Sequence, residues 1–243
     1  MKKLLHILLF ISVTTNCFSQ ERVTTFGIVV KPVFPSRFFR TGPKESINNN
    51  VNFKISQNAG FSAGGVIRKG LTKTLSIEGG INFVKRLYEL QITDGSFTGT
   101  SDYKVIGYEI PLQALVFVQL SRQIWMNAAL GPSLDLFPSD VTTNDTYFIE
   151  ETRRKSQRHI LNPGVIADIG WEWRTEKSGY FYLGASYHRS LNNIYTTYVA
   201  YIRTPGATSA DALNSTPLTG DYFTFDIRYY FHENAAAKKV KRP

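Results

Sequence analysis

The sequence predicts an all-β fold, an eight-stranded antiparallel up-and-down transmembrane β-barrel. Three observations support this prediction: eight segments alternate apolar with polar residues, short connections alternate with long ones, and aromatic residues group at the segment ends. Strands of a membrane barrel point alternate side chains toward lipid and toward the lumen, so their apolar residues do not form one continuous run. We find no stretch here that approaches the roughly 18 apolar residues of a transmembrane helix.

The N-terminus has the three-part pattern of a secretory signal peptide. Two lysines precede an apolar stretch, 4–13, and the small residues after it suit cleavage before Gln20. We therefore expect residues 1–19 to be removed on export. The residues before Cys17 match a lipoprotein signal poorly. Cleavage at this place would leave a chain without cysteine, and hence without disulfides.

The composition favours a membrane barrel over a nucleic-acid-binding protein. Aromatic residues make up 14% of the chain and charged residues only 19%. The formal net charge is +9, but four of the basic residues lie in the last ten positions. Basic charge concentrated in the tail of an exported chain is poor support for binding nucleic acid, and we exclude that class. Residues 232–243 are predicted to form a basic periplasmic tail, either solvated or in contact with a periplasmic partner or anionic lipid.

The eight segments lie in order along residues 20–231, which we assign to the barrel. Each has apolar side chains at alternate positions over a length that suits a tilted strand. The last segment is the clearest, because every odd position from Phe223 to Phe231 is aromatic or aliphatic. The outward faces of the first seven segments are represented, in chain order, by Phe26, Phe61, Leu75, Tyr108, Ile124, Leu161 and Phe181.

The connections predict how the barrel is oriented. Tight polar joins near 69–73, 121–123 and 175–179 alternate with long joins at roughly 35–53, 94–102, 136–158 and 196–220. Bacterial barrels have short periplasmic turns and longer extracellular loops. We therefore expect this chain in the outer membrane of a Gram-negative bacterium, with both termini in the periplasm and the long loops outside. The third long loop is predicted as a charged hairpin, either solvated or in contact with lipopolysaccharide phosphates.

Aromatic residues at the strand ends predict two belts at the membrane interfaces. The periplasmic belt would consist of Trp125, Trp171, Trp173, Tyr180, Tyr229 and Phe231. The opposite belt would consist of Phe34, Phe53, Tyr88, Phe137, Tyr195 and Tyr222. We expect outer-membrane lipid and lipopolysaccharide to be the partners of this surface.

The lumen-facing residues predict a polar network that fills the barrel. Its charged members would be Lys31, Arg68, Glu78, Arg86, Glu109, Asp168, Glu172, His188, Asp226 and Arg228. An eight-stranded barrel is just wide enough for side chains to fill its interior. Buried charges of opposite sign must pair and form hydrogen bonds. We therefore expect a structural plug rather than a conducting channel.

Several short stretches resemble one family of small outer-membrane barrels in the Bacteroidota, the PorT-like or "outer membrane protein beta-barrel domain" proteins. These stretches are 61–71, 79–83, 108–112, 190–194 and 226–231. The resemblance covers most of the mature chain and implies an outer-membrane barrel. Some family members are needed for type IX secretion, so the resemblance also implies a non-catalytic structural or interaction component, with membrane-protein partners in a larger assembly.

A lipid-modifying enzyme is the alternative. His188 and Ser190 form a His-x-Ser pair that resembles the lipid A deacylases of the PagL type, in which the pair faces lipid and Asn follows it. Here Leu191 replaces that Asn, and alternation turns His188 toward the lumen. We therefore expect no enzyme activity. The histidines lack ligand-like spacing and no phosphate-binding glycine loop is present, so we predict neither a metal nor a cofactor.

Overall fold

The computed structural model describes residues 23–35, 42–138, 140–145, 147–154, 161–175 and 178–232. Its strands are β1 (Thr24–Phe34), β2 (Lys44–Asn48), β3 (Val51–Gly70), β4 (Leu75–Asp94), β5 (Phe97–Gln119), β6 (Ile124–Leu136), β7 (Val141–Asn144), β8 (Phe148–Arg154), β9 (Leu161–Arg174), β10 (Tyr180–Ser190), β11 (Asn193–Tyr201), β12 (Ala212–Thr219) and β13 (Tyr222–Tyr230). Within these ranges no helix has the length and apolarity needed to cross a membrane. The predicted signal peptide and the predicted tail beyond His232 lie outside the described residues.

Eight of the strands close into a ring in the order β1-β13-β10-β9-β6-β5-β4-β3. The last strand in this order, β3, pairs back onto β1 from Lys69 opposite Thr24 to Gly60 opposite Val33. All the pairings are antiparallel, and each strand of the ring is paired on both sides. Closure of this kind removes the sheet edges that an open sheet would expose. The predicted eight-stranded antiparallel barrel is therefore confirmed.

Side chains of the ring alternate between an apolar exterior and a polar interior. On β9, Ile169 and Trp171 are 55% and 49% exposed, whereas Asp168 before them and Glu172 after them are buried. The other ring strands follow the same rule, so the outer wall is a continuous band of aliphatic and aromatic residues. A polar interior with an apolar exterior is the reverse of a soluble protein and is typical of a barrel that sits in lipid.

Three of the ring strands extend far beyond the ring. β3, β4 and β5 are 20, 20 and 23 residues long, about twice the 9–11 residues needed to cross a bilayer. The outer part of β3 pairs with β2, and the extension faces a second sheet in the order β12-β11-β8-β7. Strand β7 lies against β5, and β12 lies against β2 and β3. We call this extension the upper storey: β2, residues 51–58, 87–94, 97–107 and 137, and strands β7, β8, β11 and β12.

The upper storey corrects the prediction of four long loops. Much of 35–53, 94–102, 136–158 and 196–220 forms strands, and β4 and β5 are joined by a turn at Gly95 and Ser96. The third connection contains the β7–β8 hairpin, as predicted. The three short connections lie at the other end of the ring, which we call the turn end, together with Val23 and Phe231.

A bulge in β3 changes the residues that face inward. The pairing with β4 shifts by one residue between Asn58 and Phe61. As a result, even-numbered residues such as Ser62 face inward below the bulge, and odd-numbered residues such as Phe53 face inward above it. A Cβ on Gly60 would lie 2.2 Å from the backbone oxygen of Lys85, so the close approach of the strands here requires glycine.

The interior of the upper storey is hydrophobic, unlike that of the ring. Its buried core consists of Val51, Phe53, Ile55, Tyr88, Leu90, Ile92, Tyr103, Val105, Phe137, Phe148, Ile194, Tyr195, Val199, Tyr201, Ala212 and Leu218. The rings of Phe137 and Tyr195 meet edge to face, with centroids 5.3 Å apart. Closely packed aromatic and aliphatic side chains thus lie across the far end of the polar lumen.

The second predicted aromatic belt is therefore wrong for most of its members. Phe53, Tyr88, Phe137 and Tyr195 lie in the core of the upper storey, and Tyr222 is buried inside the barrel. The remaining member, Phe34, is 36% exposed and contacts the ring of Phe225. The error has a physical cause: aromatic residues at strand ends can mark either a lipid interface or the start of a hydrophobic core.

A polar clamp joins the tips of the upper storey. Arg203 binds both carboxylate oxygens of Asp94, with Nε 2.6 Å from Oδ2 and one terminal nitrogen 3.2 Å from Oδ1. The same side chain also donates to the backbone oxygen of Asn49, whose amide in turn donates to the backbone oxygen of Asp211. The clamp ties the turn after β2 and the turn after β4 to the connection between β11 and β12.

We expect this clamp to loosen in acid. The hydrogen bond from Arg203 holds the pKa of the Asp94 carboxyl below its usual value. A carboxyl whose pKa is lowered by folding contributes stability above its unfolded pKa, about 3.9, and loses that contribution as the pH falls further. Amide hydrogen exchange in residues 202–211, after correction for the intrinsic rate, should therefore increase below about pH 4. In Arg203→Gln the exchange should already be faster at pH 7, and an unchanged rate would contradict the clamp.

Candidate functional site

The lower half of the lumen contains an ion-pair network centred on Glu78 of β4. Arg68 Nε donates to Glu78 Oε2 at 2.9 Å, and Arg228 donates to Glu78 Oε1 at 2.8 Å. The hydroxyl of Tyr230 donates to the same carboxylate at 2.7 Å. Arg68 also binds Glu172, which lies on the opposite wall. Because these residues come from strands β3, β4, β9 and β13, the network crosses the whole lumen.

A second part of the network is centred on Arg228. This side chain binds Asp168 of β9 and Asp226 of its own strand. Lys31 lies 3.4 Å from Asp226 Oδ2, and Tyr182 donates its hydroxyl to Asp168. All five side chains are buried. Alternation placed them on the lumen face, and the long arginine and lysine side chains bring the charges into contact across it.

The lower network is balanced in charge. Its cations and carboxylates are Lys31, Arg68, Arg174, Arg228, Glu78, Asp168, Glu172 and Asp226. Four positive side chains face four negative ones, and each makes at least one contact with the opposite sign. Buried charges are tolerated only when they are paired and hydrogen-bonded in this manner. Seven of these eight residues belong to the lumen set named from the sequence, and Arg174 is the eighth.

A vestibule of about 610 Å³ opens at the turn end. Its walls are formed by Val23, Thr25, Arg68, Gly70, Thr72, Lys73, Ser76, Phe117, Trp125, Arg174 and Tyr180. The guanidinium of Arg174 lies 4.4 Å from the ring of Trp125 and 4.8 Å from that of Phe117. Among these described wall residues, three are cations and none is a carboxylate. Arg68 and Arg174 are both paired with buried carboxylates of the lower network, so the wall carries little net charge beyond that of Lys73.

The vestibule corrects the first predicted belt for two residues. Trp125 and Tyr180 point into the lumen against Arg174 rather than outward. The other four belt residues lie on the outer wall at the turn end: Trp171, Trp173, Tyr229 and Phe231. The orientation of Trp125 could have been predicted from the alternation, because it is two residues from the lumen-facing Asn127 and therefore shares its face.

The upper half of the lumen contains a second buried cluster, around His188. The Nε2 atom of His188 lies 2.9 Å from Ser133 Oγ and 3.3 Å from Asp135 Oδ1. It lies 3.7 Å from Glu109 Oε2. The imidazole stacks on Tyr222 with ring centroids 4.7 Å apart. This cluster lies directly beneath the hydrophobic core of the upper storey, since Arg86 contacts both Tyr222 and Phe137.

Two acidic members of this upper half were not identified from the sequence. Asp135 continues the inward alternation of Ser133 on β6 and binds Arg86 through Oδ2 at 3.3 Å. Asp221 precedes β13, and its Oδ1 accepts a hydrogen bond from the backbone of Ser190 at 2.9 Å. Extending the alternation of β6 by one step would have found Asp135. No periodic signal points to Asp221, because it lies in a connection.

The His188 and Ser190 pair of the enzyme alternative is not assembled. Both side chains are buried inside the barrel, so neither faces lipid. Ser190 Oγ accepts a hydrogen bond from the amide of Asn162 and donates to the backbone oxygen of Asn192 at 3.0 Å. The serine that contacts His188 is instead Ser133. A lipid-facing nucleophile–base pair of the kind that the alternative requires is not formed by these two residues.

Comparison with known proteins supports the barrel fold. No family model matches the chain, and no curated protein matches its sequence. Among solved structures, the chain is similar to the outer membrane protein OprG from Pseudomonas aeruginosa, with a TM-score of 0.53, 11% identity, and coverage of 88% of this chain and 98% of that one. At this identity, the likeness shows the fold alone.

Two further similar structures were found at lower TM-scores. One is an outer membrane channel from Pseudomonas putida F1, at a TM-score of 0.22 and 10% identity, covering 89% of this chain and 98% of that one. The other is the β domain of the Bordetella autotransporter BrkA, at a TM-score of 0.22 and 9% identity, covering 88% of this chain and all of that one, 100%. We base no argument on these two.

Proposed function

We propose that this protein is a closed, non-catalytic outer-membrane β-barrel that displays the upper storey at the cell surface as an interaction element. The observation that carries the proposal is the double obstruction of the lumen. Paired charges fill its lower half, and the aromatic and aliphatic core of the upper storey lies across its far end. An interior obstructed in this way is unsuited to transport, so we assign the function to the exposed surfaces.

The outer wall supports the placement in a membrane. Exposed large apolar residues surround the ring, among them Ile28, Leu112, Leu130, Leu183 and Ile227 at 49–61% exposure. A contiguous apolar band of this extent is not stable in water and marks a lipid-facing surface. Trp171 and Trp173 mark one edge of the band at the turn end. We place the turn end in the periplasm, because bacterial barrels have their short turns there.

The upper storey supports an interaction role. Strands carry it well beyond the membrane-crossing length, its own core makes it rigid, and the Asp94–Arg203 clamp orders its tips. Elements held rigidly above a membrane suit contact with lipopolysaccharide or with other membrane proteins. Membership of the PorT-like family and a place in a larger assembly, such as type IX secretion, belong to this proposal. They depend on the sequence resemblance given above.

Planar-bilayer recordings test the closed lumen. We expect the purified, folded chain to insert without producing steady single-channel steps. The reason is that paired charges occupy the lower half of the lumen and the hydrophobic core lies across its far end. A general porin reconstituted in the same lipid serves as the positive control. Insertion of the chain itself is verified by heat-dependent mobility of the recovered protein in gel electrophoresis. Uniform open steps that recur between preparations would contradict the proposal.

A further inference from the structure

The buried cluster around His188 has the composition of a cation site. Glu109, Asp135 and His188 each offer one ligand atom, and these three atoms all lie within 4.8 Å of one another. Each residue is at most 1% exposed. They come from three different strands, β5, β6 and β10, so the barrel itself fixes their relative positions.

The charge of this compartment is not balanced. In the described part of the chain, the buried side chains of the upper half that can carry a charge at neutral pH are one arginine, Arg86, and the three carboxylates Glu109, Asp135 and Asp221, in addition to His188. With a neutral histidine, one positive charge faces three negative ones, an excess of two. The lower network, by contrast, has equal numbers. An uncompensated buried charge costs several kcal/mol, so an excess of two negative charges requires a counter-charge.

Among the carboxylate oxygens of Glu109 and Asp135, the hydrogen bonds leave one without a donor. Asn82 donates to Glu109 Oε1 at 2.9 Å, and the Tyr222 hydroxyl donates to Oε2, so both oxygens of Glu109 accept a hydrogen bond. Arg86 donates to Asp135 Oδ2. Asp135 Oδ1, however, is buried and has no hydrogen-bond partner. This oxygen faces His188 Nε2 at 3.3 Å.

The other ring nitrogen of His188 determines which tautomer fits. Its Nδ1 lies 3.3 Å from the backbone oxygen of Gly220, which only an Nδ1–H can satisfy. In the neutral ring, the Nε2 lone pair can accept from the Ser133 hydroxyl at 2.9 Å, and it also faces two carboxylate oxygens. A positive charge among these atoms would relieve their repulsion. A histidine that donates one N–H to a backbone carbonyl and presents the other nitrogen is the common arrangement of a metal ligand.

We propose that Glu109, Asp135 and His188 bind one divalent transition-metal cation, of which Zn²⁺ is the best match. Tetrahedral zinc with bonds of about 2.0–2.2 Å places its ligand atoms roughly 3.3–3.6 Å apart. The distances from His188 Nε2 to Asp135 and Glu109 are 3.3 and 3.7 Å. Ser133 Oγ lies beside the same nitrogen and supplies a fourth oxygen. The ion brings the charge of the compartment to zero with His188 neutral.

The competing explanation is a proton on His188 in place of the metal. That proton gives His188 one positive charge and still leaves the compartment with an excess of one negative charge. The two explanations differ in stoichiometric metal content, which can be measured directly. A bound ion would link β5, β6 and β10 to one another beneath the upper storey. This site does not depend on the role proposed above for the surface.

The test uses the full mature chain refolded from urea into detergent micelles with Zn²⁺ present, because the site is closed once the barrel has formed. After free metal is removed by gel filtration, elemental analysis should find about one zinc per folded chain. Refolding in a chelator should lower the apparent unfolding temperature of the wild type. Folding is verified by heat-dependent electrophoretic mobility in every sample.

Two variants and one matched control complete the test. His188→Gln and Asp135→Asn should each lower the zinc content at least tenfold. Asp168→Asn removes a buried carboxylate of the lower network and should leave the zinc content unchanged. Less than a tenth of an equivalent in the wild type, after refolding with Zn²⁺ and separately with Mn²⁺, would overturn the proposal. Equal zinc contents in the wild type and both site variants would also overturn it. The chelator comparison uses the wild type alone, so it does not depend on the folding of any variant.

Discussion

Replacing Arg228 by methionine should destabilise the barrel by about 3–5 kcal/mol, the usual cost of removing one partner from a buried ion pair. Arg228 contacts Glu78, Asp168 and Asp226, and all four side chains are buried. Methionine fills a similar length but leaves three carboxylates with fewer counter-charges. Lys31 would remain beside Asp226, and Arg68 would remain beside Glu78. Asp168 would then keep only the hydroxyl of Tyr182 among the partners described above.

The experiment is urea unfolding of the refolded protein in lipid vesicles, followed by tryptophan fluorescence. Arg189→Met is the matched control, since Arg189 is exposed on the neighbouring strand β10. Because Arg189 lies on the outer face near the upper end of the ring, its loss should change the free energy of unfolding by at most about 1 kcal/mol. Combining Arg228→Met with Asp168→Asn should recover part of the loss, because it removes the carboxylate left with the poorest compensation. Equal effects of Arg228→Met and Arg189→Met would show that the network contributes nothing specific to stability.

Much of the ring could be predicted because odd- and even-numbered residues of each strand face opposite sides of a membrane barrel's wall. Each strand points one set of side chains to lipid and the other to the lumen, so a period of two separates Asp226 and Arg228 from Ile227. The same parity identifies lumen residues on β9, such as Asp168. What parity cannot provide is contact: the pairing of Arg68 with Glu172, 104 positions away, depends on strand order and side-chain reach.

The upper storey could not be predicted in the same way. On β4, even-numbered residues face inward without interruption from Ser76 to Ile92. The alternation therefore continues while the surroundings change, from lipid outside a polar lumen to water outside a hydrophobic core. Lys85 and Glu89 on the outer face are the local sign of that change, together with the inward Leu90. The outward-facing residues stop being apolar where the strand leaves the lipid. The alternation itself continues, so it does not show the position of this boundary.

The aromatic residues illustrate the same limit. Phe137 and Trp171 both stand near strand ends, and sequence position alone assigned both to belts. The structure buries Phe137 at 2% exposure and leaves Trp171 at 49%. The distinction depends on what lies opposite each ring. Phe137 meets Tyr195 of β11, a distant strand that pairs with β8 in the upper storey.

Replacing Phe137 by alanine should cost about 3–5 kcal/mol, the usual range for deleting a buried phenylalanine ring. The ring packs edge to face on Tyr195 and lies 5.4 Å from the guanidinium of Arg86. Its deletion leaves a cavity at the boundary between the core and the polar lumen. The ring strands keep all their pairings, so we expect the upper storey to open while the barrel below it stays folded.

Limited proteolysis of the reconstituted protein distinguishes these two levels. In Phe137→Ala, cleavage in the exposed connection 202–211 should become faster than in the wild type, while the heat-dependent mobility of the barrel is retained. Leu213→Ala is the matched control, because Leu213 is 61% exposed on β12 and its loss creates no cavity. Loss of the barrel mobility in Phe137→Ala would instead show that the two levels fold as one unit. In that case the hydrophobic core would stabilise the ring as well as close it, since the charged lumen beneath depends on exclusion of water from above.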